Sequence, residues 1–229
     1  MDGLIIEDDS SDDDSSDDDG GGEKVLNYAC TNDHWEVVDF YMKLEGQRKI
    51  EFSQEIHEHG NSLLHEACAN HSENVIKLFL RNAEEFGIDL NIRNERGWTP
   101  FMNLRNPELI QLFLDDERID VNTIDESGFN LIFELYNFEN EYDNPDQDQR
   151  LKCIETLFAS PRIDLSHVEY GTGLPLHLVC WNQHRISFAI PRAEAFLKAA
   201  LNKDVDINAR DSGLLTAAHF AFGYFRNPK

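Results

Sequence analysis

Apolar residues along this chain fall into short clusters with helical spacing, separated by polar joints. After Gly60, Gly97 and Gly128 come Asn61-Ser62-Leu63-Leu64-His65, Trp98-Thr99-Pro100-Phe101-Met102 and Phe129-Asn130-Leu131-Ile132-Phe133. Ser62, Thr99 and Asn130 are good helix N-caps, and Pro100 sits where a first-turn proline is tolerated, so a helix is expected to begin at each. Small residues follow, as in Ala67-Cys68, then a polar break, then a second apolar run such as Val75-Ile76-Lys77-Leu78-Phe79-Leu80. The order is helix, turn, helix, and then an extended hairpin.

That hairpin carries a phrase that returns. Ile88-Asp89-Leu90-Asn91 runs to Gly97, Ile119-Asp120-Val121-Asn122 to Gly128, Ile163-Asp164-Leu165-Ser166 to Gly171, and Val205-Asp206-Ile207-Asn208 to Gly213. Such a repeat marks units that cannot bury their apolar faces alone and must stack on neighbours. Taking the apolar residue at the helix start as marker, units begin near Leu26, Leu64, Phe101, Ile132, Leu176 and Ala218, at spacings of 38, 37, 31, 44 and 42 residues.

These residues resemble the ankyrin repeat family, whose unit combines a Thr-Pro-Leu-His helix start, a Glu-Val-Val second helix and an Asp-x-Asn hairpin over about 33 residues. Residues 60–91 fit that pattern closely; the first unit lacks the hairpin but keeps Leu26, Ala29-Cys30, His34, Glu36-Val37-Val38 and Phe40-Tyr41-Met42. The resemblance implies an all-α ankyrin repeat solenoid over residues 24–229, preceded by a disordered acidic tail at 1–23. It also implies that His65, His177 and His219 bridge neighbouring loops, and that Asn122, with Leu114 eight residues earlier, fits a hydroxylation spacing.

Departures from the pattern locate what is particular to this chain. The third unit shortens the joint between its helices to Leu104-Arg105-Asn106-Pro107. The fourth inserts an acidic loop at 139–146, and the fifth inserts 181–192. Insertions in a solenoid map to one edge, so these two loops are expected side by side. The last unit ends in Phe220, Phe222, Tyr224 and Phe225 without a second helix. An array end of this kind needs covering by its own aromatics, by a partner or second copy, or by further repeats.

Charge narrows the partner. The formal net charge is -24, and residues 1–23 hold nine Asp and two Glu with no Lys or Arg. That balance argues against nucleic acid and for a basic protein partner, with solubility alone as the plain alternative. No long apolar run or secretory leader pattern suggests a membrane span or export, so an intracellular monomer in cytoplasm or nucleus is expected. Cys30, Cys68 and Cys180 recur at one repeat position and read as buried packing residues.

Candidate chemistry is sparse. His57 and His59 could offer two metal ligands, but no third stands near, and no nucleophile elbow or phosphate loop occurs. Gly20-Gly21-Gly22 reads as a flexible joint. No enzyme activity, metal or cofactor is expected. The resemblance instead implies binding along hairpin tips and inner helices: Glu58, His59 and Asn61, then Glu95, Arg96 and Trp98, then Glu126, Ser127 and Phe129. Trp98 and Phe129 are expected as neighbouring aromatic anchors, or as residues packed on the adjacent hairpin, with Glu66 and Glu134 as an acidic rim.

The tail holds two further motifs. Leu4-Ile5-Ile6 followed by acids resembles a segment that adds a strand to a ubiquitin-like modifier. Ser10, Ser11, Ser15 and Ser16 each have Asp three positions later, resembling acidophilic kinase sites. The reading is a non-enzymatic scaffold or adaptor. Its alternatives are the targeting module of a multi-domain enzyme or pathogen effector, and a nuclear chaperone-like or chromatin-associated factor that depends on the tail.

Overall fold

In the computed structural model the described residues are 21–45, 60–136, 147–165, 177, 194–195, 197–203, 205–206, 208–210, 214–217 and 219. The acidic tail before Gly21, the two insertions, Cys180 and the C-terminal aromatics from Phe220 lie outside them. Helices pair as the apolar pattern requires: α1 (Gly21–Thr31) with α2 (Trp35–Glu45), α3 (Leu63–Ala69) with α4 (Glu73–Phe86), and α6 (Leu131–Tyr136) with α7 (Gln147–Ala159). In the third unit the pair is a single 3-10 turn (Pro100–Asn103) and α5 (Pro107–Leu114). Among the described residues no strand forms, and no helix is long and apolar enough to cross a membrane.

Two layers result. The first helices stack in a row, α1 on α3, α3 on the 3-10 turn and the turn on α6, while α2 packs on α4 and α5 on α7 behind them. The core between the layers is continuous from Leu26, Ala29 and Cys30 through Leu64, Ile76 and Phe79 to Phe101, Phe113, Ile132, Cys153 and Leu157. Phe101 stacks on Phe113 with centroids 6.0 Å apart, which ties the 3-10 turn to α5 within one unit.

Two expected helix starts hold, and one is corrected. Ser62 caps α3 in a reciprocal box: its hydroxyl accepts from the His65 backbone while its own N–H donates to His65 Nδ1 at 3.1 Å. Asn130 Oδ1 accepts from Phe133 N at 3.1 Å. Thr99, by contrast, makes no side-chain cap bond and starts only the 3-10 turn. Its hydroxyl lies 3.2 Å from that of Thr123, buried in the next hairpin. The shortened joint explains the lost helix: Asn106, ahead of Pro107, is extended, as a residue before proline prefers, and Leu104 is extended too. Four residues remain, enough for one turn. Asn106 then caps α5, accepting from Leu109 N at 3.0 Å.

The expected glycine joint is also corrected, because Gly21 and Gly22 lie in the first turn of α1. First-turn amides have no intrahelical acceptor in any case, so glycine there forfeits less than in a helix interior. The second unit's α4 is capped from outside: Asp33 Oδ1 accepts from the N–H groups of Asn74 at 2.9 Å and Val75 at 3.0 Å. Ser72, at the formal cap position, is left with a buried hydroxyl that has no partner.

Candidate protein-binding surface

The returning Asp-x-Asn phrase is a ladder. Within each hairpin the Asp carboxylate accepts from the N–H of its own Asn: Asp89 from Asn91 at 2.9 Å, Asp120 from Asn122 at 3.1 Å and Asp206 from Asn208 at 2.9 Å. The Asn amide then reaches the next hairpin with both ends. Asn91 donates to the Arg118 carbonyl at 2.9 Å and accepts from Asp120 N at 2.8 Å; Asn122 does the same with Arg162 and Asp164, both at 2.8 Å. Asx turns supply the first bond and a planar amide the other two.

A second set of contacts, not anticipated from sequence, comes from a basic residue just ahead of the second, third and fourth phrases. Arg118 donates to the Leu80 carbonyl at 2.7 Å and is held by Asp116, whose carboxyl its guanidinium keeps below the usual range. Arg162 donates to the carbonyls of Leu114 at 2.7 Å, Asp116 at 2.8 Å and Ile119. Lys203 donates to those of Ile163 at 2.8 Å and Ser160. Arg162 and Lys203 thus reach carbonyls at or just past the end of the preceding unit's second helix, where the helix dipole is negative, whereas Arg118 reaches one inside α4. The recurrence of Arg or Lys one or two residues before Ile-Asp or Val-Asp was visible in the sequence, but surface cations are common enough to hide it.

The hairpin tips are fastened in the same way. Asn94 Oδ1 accepts from Arg96 N at 3.0 Å and Trp98 N at 2.9 Å, and Asp125 Oδ1 accepts from Ser127 N at 2.8 Å and Phe129 N at 2.9 Å. Tip stacks on tip through Glu126 N, which donates to the Arg96 carbonyl at 3.2 Å. At Gly97, with φ +75°, an added Cβ would stand 2.9 Å from that same Glu126 nitrogen. Arg93 adds a strap, its guanidinium donating to the carbonyls of Gly97 at 3.2 Å and Ile124 at 2.7 Å.

Against this frame the expected binding residues separate. Glu95, Arg96, Glu126 and Ser127 are exposed, on one edge. Asn61 is half-buried and engaged at both ends, donating to Glu66 Oε1 at 2.9 Å and accepting from Asn94 at 2.8 Å. Trp98 and Phe129 are half-buried rather than projecting. The Trp98 indole donates to Asp125 Oδ2 at 3.1 Å, and Phe129 stacks face to face on Phe133 at 3.7 Å between centroids. Trp98 therefore takes the second of the two roles expected for it, packing on the adjacent hairpin. Glu58, His59, Leu4, Ile5, Ile6, Ser10, Ser11, Ser15 and Ser16 lie outside the described residues.

Electrostatics on the inner face are acidic. The Glu134 carboxyl is raised by burial, opposed by the Arg105 guanidinium beside it and reinforced by Asp125. Arg105 is spent on structure, donating to the carbonyls of Met102 and Leu104, each at 2.8 Å. His65 and His177 do bridge units, through Nε2 to the carbonyls of Trp98 at 2.9 Å and Leu215 at 3.0 Å. His219 is exposed, with Nδ1 beside the Thr216 hydroxyl. Buried Cys30 and Cys68 have thiols pushed well up by burial, and that of Cys153 is pushed up to about 11, so all three pack rather than react. Among the described residues no group of His, Cys, Asp and Glu is gathered to hold a metal ion.

Comparison with known proteins agrees with this geometry. Residues 59–92 match the ankyrin repeat family model. The chain is similar in structure to the ankyrin repeat protein EF0377, at 15% identity and a TM-score of 0.66 over 87% of this chain and 91% of that one. An ankyrin repeat domain (ABAYE2397) from Acinetobacter baumannii AYE gives 16% and 0.64 over 87% and 91%. The ankyrin repeat domain of Bcl-3, of the IkappaB family, gives 16% and 0.58 over 86% and 92%. A chain from the complex of the Bd0816 predatory endopeptidase of Bdellovibrio bacteriovorus with immunity protein Bd3460 gives 14% and 0.53 over 87% and 91%. No curated protein matches in sequence. The fold is that of an ankyrin repeat solenoid, a general protein-interaction architecture, and residues 59–92 carry the family's repeat in sequence as well.

Proposed function

We propose that this chain is a non-enzymatic interaction scaffold that holds a basic protein segment along its hairpin tips and inner helix face. The observation that carries the reading is the bonded edge from Asn94 to Phe129. Its backbone is fixed by side-chain ladders, while the side chains of Glu95, Arg96, Glu126 and Ser127 remain exposed. A surface held rigid before binding loses little ordering entropy when a partner arrives. The acids Glu66, Asp125 and Glu134 behind that edge, together with the net charge of -24, favour a cationic partner and steer its approach.

Affinity capture from lysate with the full chain, followed by mass spectrometry, identifies the partner. The same capture with Glu95→Lys and Glu126→Lys tests the face, because both side chains are exposed and the fold does not depend on them. Loss of the captured partner, and its release by added salt, support the reading. An unchanged partner profile places the binding surface elsewhere.

A further inference from the structure

The first and second units superimpose in register at a constant offset of 38 residues: Leu26 on Leu64, Ala29-Cys30 on Ala67-Cys68, Val38 on Ile76 and Met42 on Leu80. At four further positions burial differs. Leu63, Val75, Leu78 and Phe79 are buried, whereas Val25 is 48% and Phe40 59% exposed, and Val37 and Tyr41 are half-buried. Both units have a following unit packed on them. The difference is the preceding one: among the described residues the second unit has one and the first has none. The outer side of α1 and α2 is thus an apolar stacking face, and Tyr28 (63% exposed) and Leu44 (55%) extend it at positions where the second unit carries Glu66 and Asn82. Terminal units of solenoids ordinarily turn a polar side outward.

We propose that Leu4-Ile5-Ile6 of the same chain folds back onto this face and serves as its cap. Between Ile6 and Gly21 the sequence contains no apolar residue, so within this stretch the triplet is the matching surface. Residues 7–20 span up to about 46 Å when extended, and α1 is only about 16 Å long, so the triplet reaches every part of the face. Charge sets the direction. Glu7-Asp8-Asp9 follow the triplet, and Lys24 and Lys43, the latter also paired with Asp39, flank the face where α1 begins and antiparallel α2 ends. A tether of this length holds the triplet at a high effective concentration. A second copy is disfavoured as occupant, because face-to-face docking would bring together two tails of ten carboxylates each. Docking and strand addition to another protein use the same three residues, so a partner that takes the tail uncovers the face.

The test is photo-crosslinking in the full chain with p-benzoylphenylalanine at Phe40, followed by mapping of the linked peptides. The expected product has monomer mass and joins position 40 to residues 1–9. In the variant Leu4→Asp/Ile5→Asp/Ile6→Asp that product falls several-fold, and amide exchange in α1 and α2 quickens several-fold while α4 and α5 are unchanged. Products at dimer mass overturn the proposal in favour of a second copy. Absence of linkage to residues 1–9, or exchange in α1 and α2 that the triple variant does not alter, overturns it outright.

Discussion

The second and third units stack on each other yet are built differently. In the second, each helix is full length, α3 carries its own Ser62–His65 cap, and α4 ends at Gly87 with φ +65°. In the third, the first helix has shrunk to one 3-10 turn, the cap hydroxyl of Thr99 has turned to Thr123, and α5 ends without a left-handed residue. What the two share is between units: the Asn91 and Asn122 bridges, the Arg118 and Arg162 clamps, and tips closed by Asn94 and Asp125. Helix length is therefore negotiable in this array. The bonds that fix one hairpin on the next are not.

The largest effect should come from a clamp. Arg162→Ala removes a guanidinium from the carbonyls of Leu114, Asp116 and Ile119 and leaves them facing the junction unpaired. Bonds from a charged donor contribute about 1.5–3 kcal/mol each but do not add. A loss of about 3 kcal/mol in urea unfolding is expected, and a loss below about 1 kcal/mol would show that helix packing holds the junction instead.

Next come two glycines, one from each hairpin element, that share a left-handed backbone and differ in surroundings. An added Cβ at Gly87 meets nothing within 4 Å, so Gly87→Ala costs the backbone strain alone, about 1–2 kcal/mol. Gly97→Ala bears the same strain and a 2.9 Å approach to Glu126 N, which breaks the stacking of one tip on the next. A further loss of about 1 kcal/mol is expected. Equal losses at the two sites would mean that the tips yield without cost.

How far the sequence carried this picture depends on which kind of bond was at stake. The Asp-x-Asn…Gly phrase revealed the units and the hairpins, because Asx turns and left-handed glycines demand particular residue types locally. Ser62 and Asn130 were legible as caps for the same reason. Thr99 was not, since a residue 24 positions away captured its hydroxyl and Pro107 shortened the helix it would have capped. Asp33 capping α4 across units, and the Arg and Lys clamps, depend on distant backbone that no local pattern reports. The aromatic pair was placed on the correct hairpins, but the indole bond to Asp125 decided how far Trp98 projects.

The cap hydroxyls give a smaller and sharper contrast. Ser62→Ala removes a local cap and should cost about 1 kcal/mol. Thr99→Val should cost about 1–2 kcal/mol, not for any helix but because the Thr123 hydroxyl is left buried without a partner. The double variant Thr99→Val/Thr123→Val should then recover most of the loss. Failure to recover would return Thr99 to the role of cap.

The smallest effect separates the units by pH. His65 is held neutral in the fold, its pKa lowered by burial although its bond to the Trp98 carbonyl and nearby Glu66 pull the other way. In the unfolded chain the ring takes up a proton near its ordinary value of 6.5. Below that value the unfolded state binds more protons than the folded one, so stability falls with pH until the folded ring also titrates. Protonation would also turn Nδ1 from acceptor to donor and set it against the Ser62 N–H that it now receives. Glu134, whose folded pKa is raised, acts in the opposite sense at lower pH, so the informative quantity is a difference between chains. In the third unit the same position is Met102, which does not titrate. The variant His65→Met should therefore lower stability at neutral pH yet show a shallower decline between pH ~7 and ~5 than the parent. Parallel declines would mean that another histidine sets the pH response.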